Sequence, residues 1–116
     1  MIERGDIFYA DLNPAPSAGE GGLRPFLILQ SCVGEKNSPT VIAVEITSEI
    51  PQTLLSTQVK IDASESGLSN DAVILLDQIR TLDKRRLKEK IGHLDEKIMQ
   101  DVDAAISESF GLGRKE

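Results

Sequence analysis

A small, mainly β domain closed by one helix is the fold class this sequence predicts, on three observations. Short apolar, β-branched runs recur between turn residues from position 6 to position 94. One amphipathic stretch follows them, from 95 to 110. The chain is 116 residues long, enough for one core without disulfide staples. Strands placed ahead of a single terminal helix assemble as a strongly bent sheet or half-open barrel with the helix packed across it. We assign 1–112 to a single domain and 113–116 to a flexible C-terminal tail, with no internal repeats and no low-complexity tracts.

The first strand is Asp6-Ile7-Phe8-Tyr9-Ala10-Asp11-Leu12, rich in aromatic and branched residues and preceded by Gly5. From Asn13 to Gly22, two prolines and three glycines make a loop long enough to need a reason, such as a lid. Phe26-Leu27-Ile28-Leu29-Gln30 then reads as a strand buried on both faces, with Pro25 suited to its first position. Arg24 is held extended by the proline after it and projects at the sheet rim. A polar turn through Ser38-Pro39 leads to Thr40-Val41-Ile42-Ala43-Val44-Glu45-Ile46-Thr47, a strand by its β-branched residues, with Thr47 at its end.

Thr57-Gln58-Val59-Lys60-Ile61-Asp62 alternates polar and apolar, which gives one wet and one dry face. The chain turns around Gly67, and a long strand runs from Ala72 through Leu82. Asp83 caps a helical turn at Lys84-Arg85-Arg86-Leu87, and a last strand is expected at Lys90-Ile91-Gly92-His93-Leu94. Asp95 is an N-cap, with Ile98, Met99, Val102, Ala105, Ile106 and Phe110 at helical spacing before Gly111.

Composition removes several chemistries. His93 is the only histidine, so a two-histidine ribonuclease is excluded, and Cys32, the only cysteine, reads as a quiet residue at a strand end. No phosphate-binding glycine fingerprint is present, because Gly19, Gly21 and Gly22 lead into a strand where a phosphate loop enters a helix. Asp71, Asp77 and Asp83 read as solvated or turn residues, and no metal or cofactor is expected. The net charge of -6 argues against a broad cationic nucleic-acid surface but leaves room for a local basic groove, and Lys84-Arg85-Arg86 reads first as a solvated face. The N-terminal residues lack the apolar core of a signal peptide, and no run is long enough to span a bilayer; a cytoplasmic protein is expected. What remains is an arginine at one strand edge, Arg24, and a threonine at another, Thr47. An arginine can neutralise a phosphoryl transition state through its fork of donors, and a hydroxyl can donate to the same oxygens.

Six segments taken in order make the chain resemble the MazF/PemK family of toxin endoribonucleases, and most closely its short Gram-positive-type members. They are Arg4-Gly5-Asp6, Gly21-Gly22-Leu23-Arg24-Pro25, Asn37-Ser38-Pro39-Thr40, Ile46-Thr47, the run from Val73 through Gln78 and Arg80 to Asp83, and the helix opening at Leu94-Asp95. The resemblance implies an SH3-like barrel of the CcdB/MazF type that works as a homodimer and is neutralised by a cognate antitoxin. It implies metal-independent, sequence-specific cleavage of single-stranded RNA to 2′,3′-cyclic phosphate and 5′-hydroxyl ends. The catalytic pair then falls on Arg24 and Thr47, and RNA contacts on Glu20, Gly21, Gly22, Thr57, Gln58, Gln78 and Arg80.

Three departures from the family pattern stand out: Ser17-Ala18-Gly19-Glu20 in the lid, Ser56-Thr57-Gln58 before the fourth strand, and Glu45 where a small residue is usual. None replaces Arg24 or Thr47, so they bear on target sequence more than on activity. The alternative is a toxin of the same fold that inhibits DNA gyrase without cutting RNA, since fold alone does not fix function.

Overall fold

The computed structural model describes residues 2–12, 22–30 and 38–112. Its elements run β1 (Asp6–Asp11), β2 (Leu23–Ile28), β3 (Thr40–Thr47), β4 (Gln58–Ile61), α1 (Ala63–Ser66), β5 (Ala72–Asp83), β6 (Leu87–His93) and α2 (Glu96–Phe110), with a 3-10 turn at Lys84–Arg86. The six strands form one sheet in the order β4-β5-β3-β2-β1-β6, every pairing antiparallel. The expected bent sheet with a helix across it is therefore present, and it is left open, with β4 and β6 as its edges. The expected lid lies outside the described residues except for Gly22, as do Cys32 and the tail at 113–116.

β2 explains why the sheet needs cover on both sides. Successive strand residues face opposite ways, and Phe26, Leu27, Ile28 and Leu29 are all buried. Leu27 and Leu29 join Val44, Ile46, Ile74 and Leu76 in a core roofed by Met99, Val102 and Ala105 of α2. Phe26 and Ile28 turn the other way, into a second cluster with Ala10, Val41, Ala43 and Leu82. Burying a side chain of this size contributes roughly 1.5–3 kcal/mol, so both clusters count.

α2 is held at its ends as its sequence dictates. The Asp95 carboxylate accepts the Ile98 N–H at 2.9 Å, and Gly111 ends the helix in the left-handed region at φ 71°. Phe110 departs from the expected core stripe and is 61% exposed.

Beyond shifts of one residue at the ends of β1, β4 and β5, three elements differ from the sequence reading. β2 starts at Leu23 and ends at Ile28, so Pro25 is its third residue; Pro25 pairs with Tyr9 of β1, while pairing to β3 begins only at Phe26↔Glu45, and no ladder bond to β3 is lost. α1 stands where the sequence reading has only a turn around Gly67, although Asp62-x-x-Glu65 is a capping-box pattern; the Glu65 carboxylate accepts the Asp62 N–H at 2.8 Å. β6 begins at Leu87, three residues before the expected start, because Leu87 and Lys90 both find partners on β1.

A bulge shapes the sheet. Val44 faces Ile79 while Ile46 faces Ile74, so residues 75–78 of β5 stand opposite Glu45 alone. Such an insertion bends a strand and raises its twist. The bend fits a second contact, in which α1, directly after β4, packs on β6. Gly67 and Gly92 allow that approach: a Cβ on Gly92 would lie 2.3 Å from the Ser66 carbonyl oxygen, and one on Gly67 2.6 Å from that of Ile91. The two sheet edges thus meet through α1.

A buried carboxylate ties the start of β1 to the end of β6. Asp6 is fully buried, and its oxygens accept the Glu3 N–H at 2.8 Å, His93 Nδ1 at 2.6 Å and Lys90 Nζ at 3.2 Å. Burial alone raises a carboxyl pKa, but the hydrogen bonds from His93, Glu3 and Lys90 outweigh it and hold Asp6 below its ordinary value. Among the described residues Glu3, Asp6 and His93 also form a group of metal-holding size, yet the Asp6 oxygen that faces His93 is the one that takes the Lys90 ammonium.

Two predictions come from these contacts. Gly92→Ala should destabilise the protein by on the order of 1–3 kcal/mol, since the obstacle is Ser66 backbone and cannot swing away; a thermal melt equal to wild type would contradict the seam. Because the folded pKa of Asp6 is depressed, its stabilisation is present above the unfolded value of about 3.9 and is lost as pH falls through the folded value. Denaturant titrations should show Asp6→Asn less stable by on the order of 1–2 kcal/mol near neutral pH, the partners being half exposed, with the gap closing below about pH 4.

Candidate active site

Strand register brings the two residues singled out by their chemistry to one place. β2 and β3 pair through Phe26↔Glu45, Leu27↔Val44 and Ile28↔Ala43. Continued by two residues, that register sets Arg24, near the start of β2, opposite Thr47, the last residue of β3. Both line a cleft of about 380 Å³ together with Tyr9, Pro25, Ile46, Ser48, Glu49, Leu68, Ser69, Asn70 and Ala72. Its apolar lining, Ile46, Ala72 and Leu68, comes from the core that α2 roofs.

Arg24 is the only cation lining this cleft among the described residues. Its side chain is 54% exposed, and Nη1 donates to Glu45 Oε2 at 3.0 Å. The rest of the guanidinium fork has donors to spare. The Thr47 hydroxyl oxygen accepts the Glu49 N–H at 3.1 Å, which fixes the side chain by a local turn and leaves its O–H to donate. A cation with parallel donors and a fixed hydroxyl donor on one rim suit a phosphodiester.

The remaining expected contacts are spread out. Gly22 precedes β2 and its N-terminal neighbours Glu20 and Gly21 lie outside the described residues. Gln78 and Arg80 are exposed on β5; Arg80 pairs with Ala43, and the Val44↔Ile79 register continued one step sets Gln78 opposite Glu45. Alternation therefore puts both on the Arg24 and Thr47 face, although outside the cleft. Thr57 and Gln58 are not brought to the cleft; Thr57 precedes β4 and Gln58 starts it, and Gln58 Oε1 accepts the Leu55 N–H at 2.9 Å. Sequence reasoning missed Tyr9, Ser69 and Asn70, which reach the cleft by folding from distant segments and carry no local signal.

The competing basic and acidic groups settle into structural work. Asp83 caps the 3-10 turn and pairs with Arg85, whose hydrogen bonds pull its carboxyl down to about 2. Arg86 Nη1 donates to the Asp11 carbonyl at 2.9 Å. Asp71 accepts the Ala63 N–H at 2.9 Å and faces Lys60. No helix among the described residues is long and apolar enough to cross a membrane.

Known proteins share both the sequence and the fold. Residues 3–110 match the family described as PemK-like, MazF-like toxin of type II toxin-antitoxin system. The chain is 46% identical over 112 residues to Endoribonuclease EndoA of Bacillus subtilis (strain 168), covering 97% of each chain. It is 49% identical over 112 residues to Endoribonuclease MazF of Staphylococcus saprophyticus, covering 97% of this chain and 93% of the relative. Among solved structures it superposes, with a TM-score of 0.78 and 23% identity, on an endoribonuclease in complex with its cognate antitoxin from Mycobacterial species, covering 99% of this chain and 100% of that one. At that identity the likeness is one of fold. The match places the chain among the small toxins of the type II toxin-antitoxin class. Within that class the chain belongs to the PemK/MazF family.

Proposed function

We propose that this toxin endoribonuclease cuts single-stranded RNA at Arg24 and Thr47 by attack of a ribose 2′-hydroxyl on the adjacent phosphorus. The observation that carries the reading is the meeting of Arg24 and Thr47 from two strands in one cleft. As the 2′-oxygen bonds to phosphorus, the bond to the 5′-oxygen breaks. The 2′-proton is lost, the leaving oxygen gains one, and the products are a 2′,3′-cyclic phosphate and a free 5′-hydroxyl. Arg24 stabilises the charge that accumulates on the non-bridging oxygens, and the Thr47 hydroxyl donates to one of them. A guanidinium stays protonated at neutral pH, so the work of Arg24 is electrostatic and not that of a base. The nucleophile belongs to the substrate, so no metal-activated water is needed. Gln78 and Arg80 extend the RNA path along the same face, with Glu20, Gly21, Gly22, Thr57 and Gln58 as further contacts. The gyrase-binding alternative gives this cleft no role.

The toxin domain is proposed to span residues 1–112, to work in the cytoplasm as a homodimer, and to be silenced by an antitoxin that occupies the RNA face. Leu23, Leu55, Phe110 and Leu112 are each more than half exposed, which leaves apolar surface for such partners to bury.

Single-turnover cleavage of an oligonucleotide with one scissile site tests the chemistry. Activity should persist in excess EDTA and vanish when that site carries a 2′-deoxyribose. Arg24→Ala should lose roughly 10²–10³ in rate, with Arg24→Lys nearly as slow because the fork is gone. Thr47→Ser should keep more activity than Thr47→Val. Undiminished cutting of the deoxy copy would refute the 2′-hydroxyl mechanism. For the partners, light scattering at micromolar concentration should find a dimer, and saturating antitoxin should stop cleavage. A lone 12.6 kDa species would rule out the dimer, and cleavage unaffected by bound antitoxin would rule out occlusion of the RNA face.

A further inference from the structure

We infer that Glu45 is an internal competitor for the substrate phosphate: it holds the Arg24 guanidinium and must release it when RNA binds. The inference rests on the reading of Arg24 as the phosphate-binding residue.

Three observations carry it. Glu45 sits two residues before Thr47 on β3 and opposite Phe26 of β2, so its side chain shares a face with Arg24 and lies on the diagonal between the strands. Its carboxylate, 20% exposed, accepts from Arg24 Nη1 at 3.0 Å, while Arg24 itself is 54% exposed. Arg24 is also the only cation lining the cleft among the described residues, so a contact that occupies one of its donors bears directly on how the cleft meets an anion.

A phosphodiester entering this cleft meets a guanidinium with one arm taken and a fixed negative charge beside it. Bidentate grip on two phosphoryl oxygens needs that arm. The existing contact is a single hydrogen-bonded ion pair on a half-exposed arginine, a kind weak enough for a dianionic or backbone phosphate to displace. Glu45 therefore acts through Arg24, as a positioning residue that lowers RNA affinity and keeps the guanidinium aimed along β3 until substrate arrives. Removing the charge while keeping the shape relieves the competition before the chemical step.

The experiment uses four full-length proteins: wild type, Glu45→Gln, Arg24→Ala and the double variant. Binding is measured by fluorescence anisotropy with an oligoribonucleotide carrying one 2′-deoxyribose at the scissile site, and kcat and KM with the all-ribose copy. Glu45→Gln should bind about three- to fivefold tighter, the factor set by releasing an exposed ion pair, and should lower KM by the same factor, so that the gain appears in kcat/KM. In the Arg24→Ala background the same change should shift binding by less than about twofold, since Glu45 then has no guanidinium to hold. Unchanged or weaker binding by Glu45→Gln, or a fall in kcat at constant KM, would overturn the inference while leaving Arg24 in its role. An equal gain in the Arg24→Ala background would also overturn it, assigning the effect to net charge. Wild-type cleavage by Arg24→Ala would instead remove the reading on which it stands. Thermal melts of all four proteins identify any loss of rate that comes from unfolding.

Discussion

Burial of β2 on both of its faces is the constraint on which the rest of this molecule depends. A strand whose every residue from Phe26 to Leu29 is apolar cannot lie at a water-facing surface without a large cost. One face is met by α2 and the other by the curl of the sheet itself, which gathers Ala10, Val41, Ala43 and Leu82 over Phe26 and Ile28. Where the apolar alternation stops, at Arg24 on β2 and Glu45 on β3, polar side chains stand on the same face at the edge of that cluster. The position of the cleft is thus a consequence of where the core ends. Rigid strands on either side hold Arg24 and Thr47 in register, which is the kind of support a phosphate site requires.

Much of this was legible from local chemistry. The β-branched run from Thr40 to Thr47 defined β3 to the residue, and Asp95 and Gly111 marked the two ends of α2 because capping depends on near neighbours. The places that were not legible depend on pairing across the chain. Pro25 reads as a strand start by its own rules, but β1 offers Tyr9 as a partner and the strand extends to Leu23. Leu87 joins β6 because Ala10 lies opposite it.

The same division holds for the cleft. Arg24 and Thr47 were found by elimination and by family resemblance, both of which read residue types in order. Their proximity is a matter of register, as is the ion pair that Glu45 makes with Arg24. Glu45 could be noticed in the sequence only as an unusual residue beside Ile46 and Thr47. Tyr9, Ser69 and Asn70 join the same cleft from β1 and from the segment before β5, a combination no local window contains.

The open sheet has a consequence for how the molecule behaves in a crowd. Each edge strand offers backbone N–H and C=O groups to any other strand that comes by, the usual route to fibrous assembly. On β6 the far half is sheltered by α1 lying against Ile91 and Gly92, and the near half reads Lys88-Glu89-Lys90, all exposed. On β4, only four residues long, Lys60 is exposed. A strand docking on either edge would have to bring its own backbone past these charged side chains. The protein can therefore keep an unclosed sheet at high concentration without growing along it.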